Sequence, residues 1–148
     1  MEIAESVSPY SQGLDVTQWS IEELWPKVDP EFKAFGAKVM VQLRRTMLKS
    51  GRIFLTEETG ATEAWNTQIG QVMYLGPLAF KNRSTGKDWP EGAWCQPGQF
   101  VRFPRWGGDR LTIDLKDGHK PVVILILEDH HILGEYTGDP RRVRAYLE

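Results

Sequence analysis

The sequence predicts an all-β domain, a small barrel or sandwich of about six short strands. Three observations predict it. Val39, Val41 and Leu43 alternate with Met40, Gln42 and Arg44, the period of two that a strand requires. Gly76-Pro77, Pro97-Gly98 and Asp117-Gly118 break the chain at intervals suited to turns. Val122 to Leu127 is apolar on both faces, as a strand central to a barrel or buried at an interface would be.

Residues 1–36 read as an N-terminal arm, rich in Ser, Pro, Gln and Trp and without sustained alternation. Within it, Ser20-Ile21-Glu22-Glu23 fits a capping box, and Pro26 stops the helix within about two turns. A second short helical turn is expected from Asp29 to Gly36, with Asp29 as N-cap, Pro30 in first position and Gly36 as stop. Trp19, Trp25, Phe32 and Phe35 are numerous for a tail. They pack either on the domain's own surface or on a neighbouring subunit or larger assembly.

Residues 37–136 form the domain proper. Strands are expected at Lys38 to Arg44, Ile69 to Leu75, Gln99 to Phe103, Leu111 to Leu115, Val122 to Leu127 and Ile132 to Tyr136. Between the second and third, residues 78–95 are irregular, and Asn82 to Lys87 reads as the tip of a loose hairpin. Pro97-Gly98 supplies the centre of a type II turn, and Glu128-Asp129-His130 turns the chain into its last strand. In the tail, residues 137–148, Asp139 is a cap and Pro140 a first position. Val143, Tyr146 and Leu147 then recur at helical spacing, so a short terminal helix is expected.

Bulk properties narrow the function. The 148 residues make one domain with appendages. The 18 basic and 20 acidic residues nearly cancel, without the footprint of a phosphate-binding surface. Arg102 to Trp106 with Arg110 mixes bases and aromatics as a single-strand-binding barrel does, but the balanced charge favours a surface turn and no nucleic acid. Cys95 is the single cysteine, so no intrachain disulfide forms, in keeping with a reducing compartment. The first residues lack the basic and apolar regions of a signal peptide, and Val122 to Leu127 is far too short for a bilayer of about 30 Å. A soluble cytoplasmic protein without a membrane partner is the expectation. His119, His130, His131 and Cys95 show no zinc-type spacing, and no nucleophile elbow or phosphate-binding glycine loop occurs. No catalysis, metal or cofactor is therefore expected.

The most informative segment spans residues 48–67. One apolar triplet, Ile53-Phe54-Leu55, stands in a Gly, Thr and Glu mixture that cannot bury enough surface to fold by itself. Long connections of this kind usually bind or cover something. By pattern alone, Arg52 to Thr56 reads equally as an exposed apolar hook or as a further strand filling its own core.

Read in order, these pieces resemble the GroES-type co-chaperonins, the lids of bacterial chaperonin cages. The likeness runs from Lys38 to Tyr136. Lys38-Val39-Met40-Val41-Gln42-Leu43 is similar to the family's opening strand, and Ser50-Gly51-Arg52-Ile53-Phe54-Leu55-Thr56 to the Gly-Ile-Val-Leu-Thr of its mobile loop. Gly70 to Gly76 resembles its Gly-x-Val-x-x-Val-Gly strand, and Gln96 to Phe103 its Val-Gly-Asp-x-Val strand. Val123 to Leu127 with Ile132-Leu133-Gly134 resembles the closing pair that ends in Asp-Ile-Leu-Ala. The chain departs from the family at Gln99 and His131, where Asp is usual, and at Trp106-Gly107-Gly108, only loosely similar to a Gly-Tyr-Gly turn. The arm and tail have no counterpart in typical cellular members, which fits a divergent bacteriophage-encoded relative in a host cytoplasm.

The resemblance implies a GroES-like irregular β-barrel that caps a GroEL-type chaperonin of host or phage and assists ATP-dependent folding of encapsulated client proteins. Ile53, Phe54 and Leu55 would dock on the chaperonin. Val39, Val41 and Leu43 would meet a neighbour's Ile132, Leu133 and Tyr136 at the subunit seam of a ring, seven-membered in the family. Trp89 and Trp94 would lie in the roof hairpin. Burying each triplet residue contributes about 1.5 to 3 kcal/mol, and ordering the loop offsets roughly 2 to 5 kcal/mol of the total. One loop then binds at about millimolar strength or more weakly, whereas several on one ring gain about 10² to 10⁴ in avidity. The alternative is a phage virion decoration or cement protein built on the same barrel, with arm and tail clamping other virion proteins.

Overall fold

A computed structural model describes residues 16–47, 67–105 and 107–144. Its strands are β1 (Lys38–Leu43), β2 (Ile69–Leu75), β3 (Phe100–Arg102), β4 (Asp109–Ile113), β5 (Val122–Glu128) and β6 (Gly134–Tyr136). They form one sheet in the order β4-β5-β1-β2-β3-β6, with every neighbouring pair antiparallel. The protein is all-β. Among the described residues no ladder joins β4 to β6, so the sheet is open at both outer strands.

The alternation in β1 sorts its side chains onto two faces. Val39, Val41 and Leu43 join one cluster with Val72, Val101, Leu125 and Leu127, closed over by Phe80, Cys95, Phe103 and Ile132. Met40 points to the other face, with Val122 and Ile124. Both faces are buried because the arm crosses the second one, laying Val28 and Ala34 against Met40, Met73 and Tyr74. A third cluster gathers Leu24, Trp25 and Met47 with Val16, Trp19, Ile21 and Phe100. Met40 faces Tyr74 and Val41 faces Val72, so Met73 is an extra residue that bulges β2. Gly70 lets β2 approach, since a Cβ there would lie 2.2 Å from Val41 Cγ1.

Among its described residues the arm holds a 3-10 turn, Val16–Gln18, and one α-helix, α1 (Ile21–Leu24), closed by the expected capping box: Glu23 N donates to Ser20 Oγ at 3.1 Å, and Ser20 N to Glu23 Oε1 at 2.8 Å. The helix expected from Asp29 to Gly36 does not form. Glu31 sits at φ 52, in the left-handed region, and Asp29 Oδ1 accepts the Glu31 N–H at 2.9 Å, an Asx turn that diverts the cap from helix initiation. The expected terminal helix is a single 3-10 turn, Pro140–Arg142, after which Val143 is extended. Asp139 caps that turn and Pro140 opens it, as their spacing predicts. Tyr146 and Leu147 lie outside the described residues. Among the described residues no helix is long and apolar enough to cross a membrane.

Candidate functional site

The triplet Ile53, Phe54 and Leu55 lies outside the described residues, but both roots of its segment are described. At the first root Arg45 is buried, and its backbone N–H donates to Leu24 O at 2.8 Å. Its guanidinium forks onto the Asp117 carboxylate, with Nη1 to Oδ2 at 2.6 Å and Nη2 to Oδ1, while Nε donates to Lys120 O at 3.0 Å. Such a fork matches carboxylate geometry and always carries charge. The hydrogen bonds from Arg45 hold the Asp117 carboxyl down to about 2. At the second root Gln68 stands at φ 57, its Nε2 donating to Phe103 O at 2.9 Å and its own carbonyl accepting the Phe103 N–H at 3.1 Å. Leu43 pairs with Gly70, so the segment leaves and returns at one end of the β1–β2 ladder.

The hairpin expected around Asn82 to Lys87 is tight rather than loose. Lys81 bridges to Asp88, Asn82 N donates to Lys87 O at 2.7 Å, and Asn82 Oδ1 accepts from Ser84 N and Thr85 N. Phe80 anchors it. Its ring lies 5.5 Å from Trp89 and 5.8 Å from Trp94, and the two Trp rings meet edge-on at 4.9 Å. Trp89 packs against the core, and the more exposed Trp94 donates from Nε1 to Glu91 Oε1 at 2.8 Å. Glu128 ties the hairpin to the sheet by meeting both Lys38 (3.0 Å) and Arg83 (2.7 Å), chiefly through Lys38, which lowers its carboxyl below the usual range.

The residues expected at a subunit seam divide. Val39, Val41, Leu43 and Ile132 are buried in this chain's own core, and β1 already has β2 on one side and β5 on the other. A neighbour's strand therefore cannot pair with β1: the central place of β1 in the sheet corrects that part of the expectation. Leu133 is 63% exposed and Tyr136 half-buried, at the outer strand β6, whose far edge has no partner among the described residues. The arm's aromatics divide as well. Trp25 is buried and Trp19 half-buried on the domain, whereas Phe32 is 48% and Phe35 82% exposed. Where the arm crosses the sheet, a groove of about 740 Å³ opens between Trp25, Val28 and Phe32 on one side and Met73 and Tyr74 on the other. Composition counts the aromatics, but which of them are covered is set by the packing of the arm, which seats Trp19 and Trp25 with Leu24, Met47 and Phe100.

Among the described residues no three His, Cys, Asp or Glu side chains gather as metal ligands. The His130 and His131 rings lie 4.4 Å apart with their planes tilted by 59°, and burial together with the Glu135 charge pushes the Cys95 thiol up to about 11. Phe103 is buried, so the bases around it share no exposed ring with it, and Trp106 lies outside the described residues. No protein-family model matches the chain, and a search of the curated proteins finds no match.

Proposed function

We propose that this protein is a GroES-like co-chaperonin, a non-enzymatic ring-forming lid for a GroEL-type chaperonin that assists ATP-dependent folding of client proteins. One observation carries the reading: the segment holding Ile53-Phe54-Leu55 joins the paired ends of two core strands, and each root is held by the hydrogen bonds of a buried polar residue, Arg45 at one and Gln68 at the other. Roots so held fix where the segment leaves and rejoins the domain, and the reading takes its apolar triplet as the hook. The triplet's small area makes a single copy a weak ligand, so the reading requires several copies on one ring. Support for self-association comes from the outer edge of β6, unpaired among the described residues, and from the exposed Leu133, Phe32 and Phe35.

The test is capture. The purified protein is mixed with a bacterial chaperonin and nucleotide, and capped complexes are counted alongside refolding of a stringent client. Ile53→Asp or Leu55→Asp abolishes capture while leaving the ring's sedimentation unchanged. Undiminished capture by these variants refutes the docking role, and stoichiometric copies of the chain in purified virions replace the reading with that of a decoration or cement protein.

A further inference from the structure

Both chain extensions meet at one side chain. Arg141 lies in the 3-10 turn Pro140–Arg142, and its Nε and Nη2 donate to the Asp139 carboxylate at 3.0 and 2.8 Å. The Arg141 backbone N–H also donates to Asp139 Oδ1 at 3.0 Å, so the turn and the fork hold each other in shape. This leaves Nη1 aimed away from the tail. It donates to Trp19 O at 3.1 Å and to Thr17 O at 3.4 Å, more than 120 positions upstream in the sequence.

The arm on the far side of these bonds is not a loose end. Just after Trp19 come the capping box of α1, then Leu24 and Trp25, buried against Met47 and Phe100. Gln42 Nε2 next donates to Pro26 O at 2.8 Å, and Val28 and Ala34 cross the second face of the sheet. The position of this strap sets the width of the groove between Trp25, Val28 and Phe32 and the Met73–Tyr74 wall.

We propose that Arg141 is a clasp between arm and tail, so that residues 16–25 and 139–143 open and close as one unit and the tail governs the groove beneath the arm. Coupling of this kind is reciprocal, because a contact that stabilises one closed segment stabilises the other by the same factor. A partner that draws the tail aside loosens the arm, and one that seats in the groove orders the tail. Asp139 supports the assignment: its carboxyl is held below the usual range chiefly by the Arg141 side chain, as expected of a fork engaged in the resting state.

Hydrogen exchange of the full-length chain, read by peptide, tests the clasp. The relevant amides are Trp19, Leu24 and Trp25, which donate to Val16, Ser20 and Ile21. Arg141→Ala speeds their exchange by about tenfold or more, as loss of the charge-assisted hydrogen bonds to the Trp19 and Thr17 carbonyls dictates, and leaves β1 and β5 unchanged. Arg142→Ala, at an exposed neighbouring position, leaves residues 16–25 at the parent rate. Arg141→Lys, which keeps the charge but not the fork, falls between the two. Unchanged exchange over 16–25 in Arg141→Ala overturns the proposal. So does acceleration shared equally by β1 and β5, because the residue then supports the whole domain rather than the arm.

Discussion

Asp129→Ala is expected to destabilise the protein by about 2 to 3 kcal/mol, through one backbone amide. Asp129 is 2% exposed, and its Oδ2 accepts the N–H of Phe80 at 2.9 Å. Phe80 is itself 1% exposed and sits at φ 61, a conformation that bulky residues adopt only where the surroundings enforce it. The carboxylate therefore satisfies an amide that the turn leaves buried and keeps the ring aimed at Trp89 and Trp94. Alanine leaves that amide without its acceptor and removes a hydrogen bond to a charged group. For a chain of 148 residues, each kcal/mol lowers Tm by about 2 to 4 °C, so the midpoint falls by roughly 4 to 12 °C. Urea denaturation followed by tryptophan emission reads the effect, since Phe80 touches two indoles. The denaturation midpoint drops and the slope stays constant. Asp129→Asn keeps an acceptor and recovers at least half of the loss. A value for Asp129→Ala within about 0.5 kcal/mol of the parent refutes the reasoning, because surface substitutions alone give that much.

Three further outcomes are expected. Gly70→Ala forces a Cβ onto Val41 and destabilises by about 1 to 3 kcal/mol, whereas Gly134→Ala, with nothing within 4 Å of the added carbon, stays within about 0.5 kcal/mol of the parent by the same denaturation. Asp117 titrates near 3.8 when unfolded and at about 2 when paired with Arg45, so its contribution is fully present above pH 4 and lost as pH falls towards 2; Asp117→Asn flattens the stability profile in that window, and an unaltered profile refutes the pairing. Cys95, 2% exposed with its thiol pushed up to about 11, reacts with a thiol reagent at pH 8 only when the protein unfolds, and prompt labelling of the native chain contradicts its burial.

Strand patterning carried most of the fold. Ile69–Leu75 was legible to the residue, because alternation ends at Gly76-Pro77, and β5 was recognisable as a strand buried on both faces. The helical expectations were weaker for a physical reason. Asp29 and Asp139 both look like caps, but a short Asp side chain serves a local turn as readily as a helix, and only packing decides. The seam was misread for a different reason. Alternation in Val39, Val41 and Leu43 reports that one face is buried, not whether the cover comes from the same chain or its neighbour. Burial of Gln42, Arg44, Arg45 and Asp129 was not legible at all. Polar residues go inside only where partners await them, and the partners of Gln42, Arg45 and Asp129 include backbone groups of Pro26, Lys120 and Phe80.

The central place of β1 also sets a timetable for folding. Its second neighbour is β5, with Lys38 opposite Glu128 and Gln42 opposite Ile124. During synthesis at about 5 to 20 residues per second, the strand that completes β1 emerges roughly 4 to 18 seconds after β1 itself. For that interval an apolar strand has an open edge, and pairing between segments so distant along the chain is intrinsically slow. Nascent and truncated chains that stop short of Glu128 are thus the aggregation-prone forms of this protein, and the full-length chain escapes that fate once β5 covers the second edge of β1.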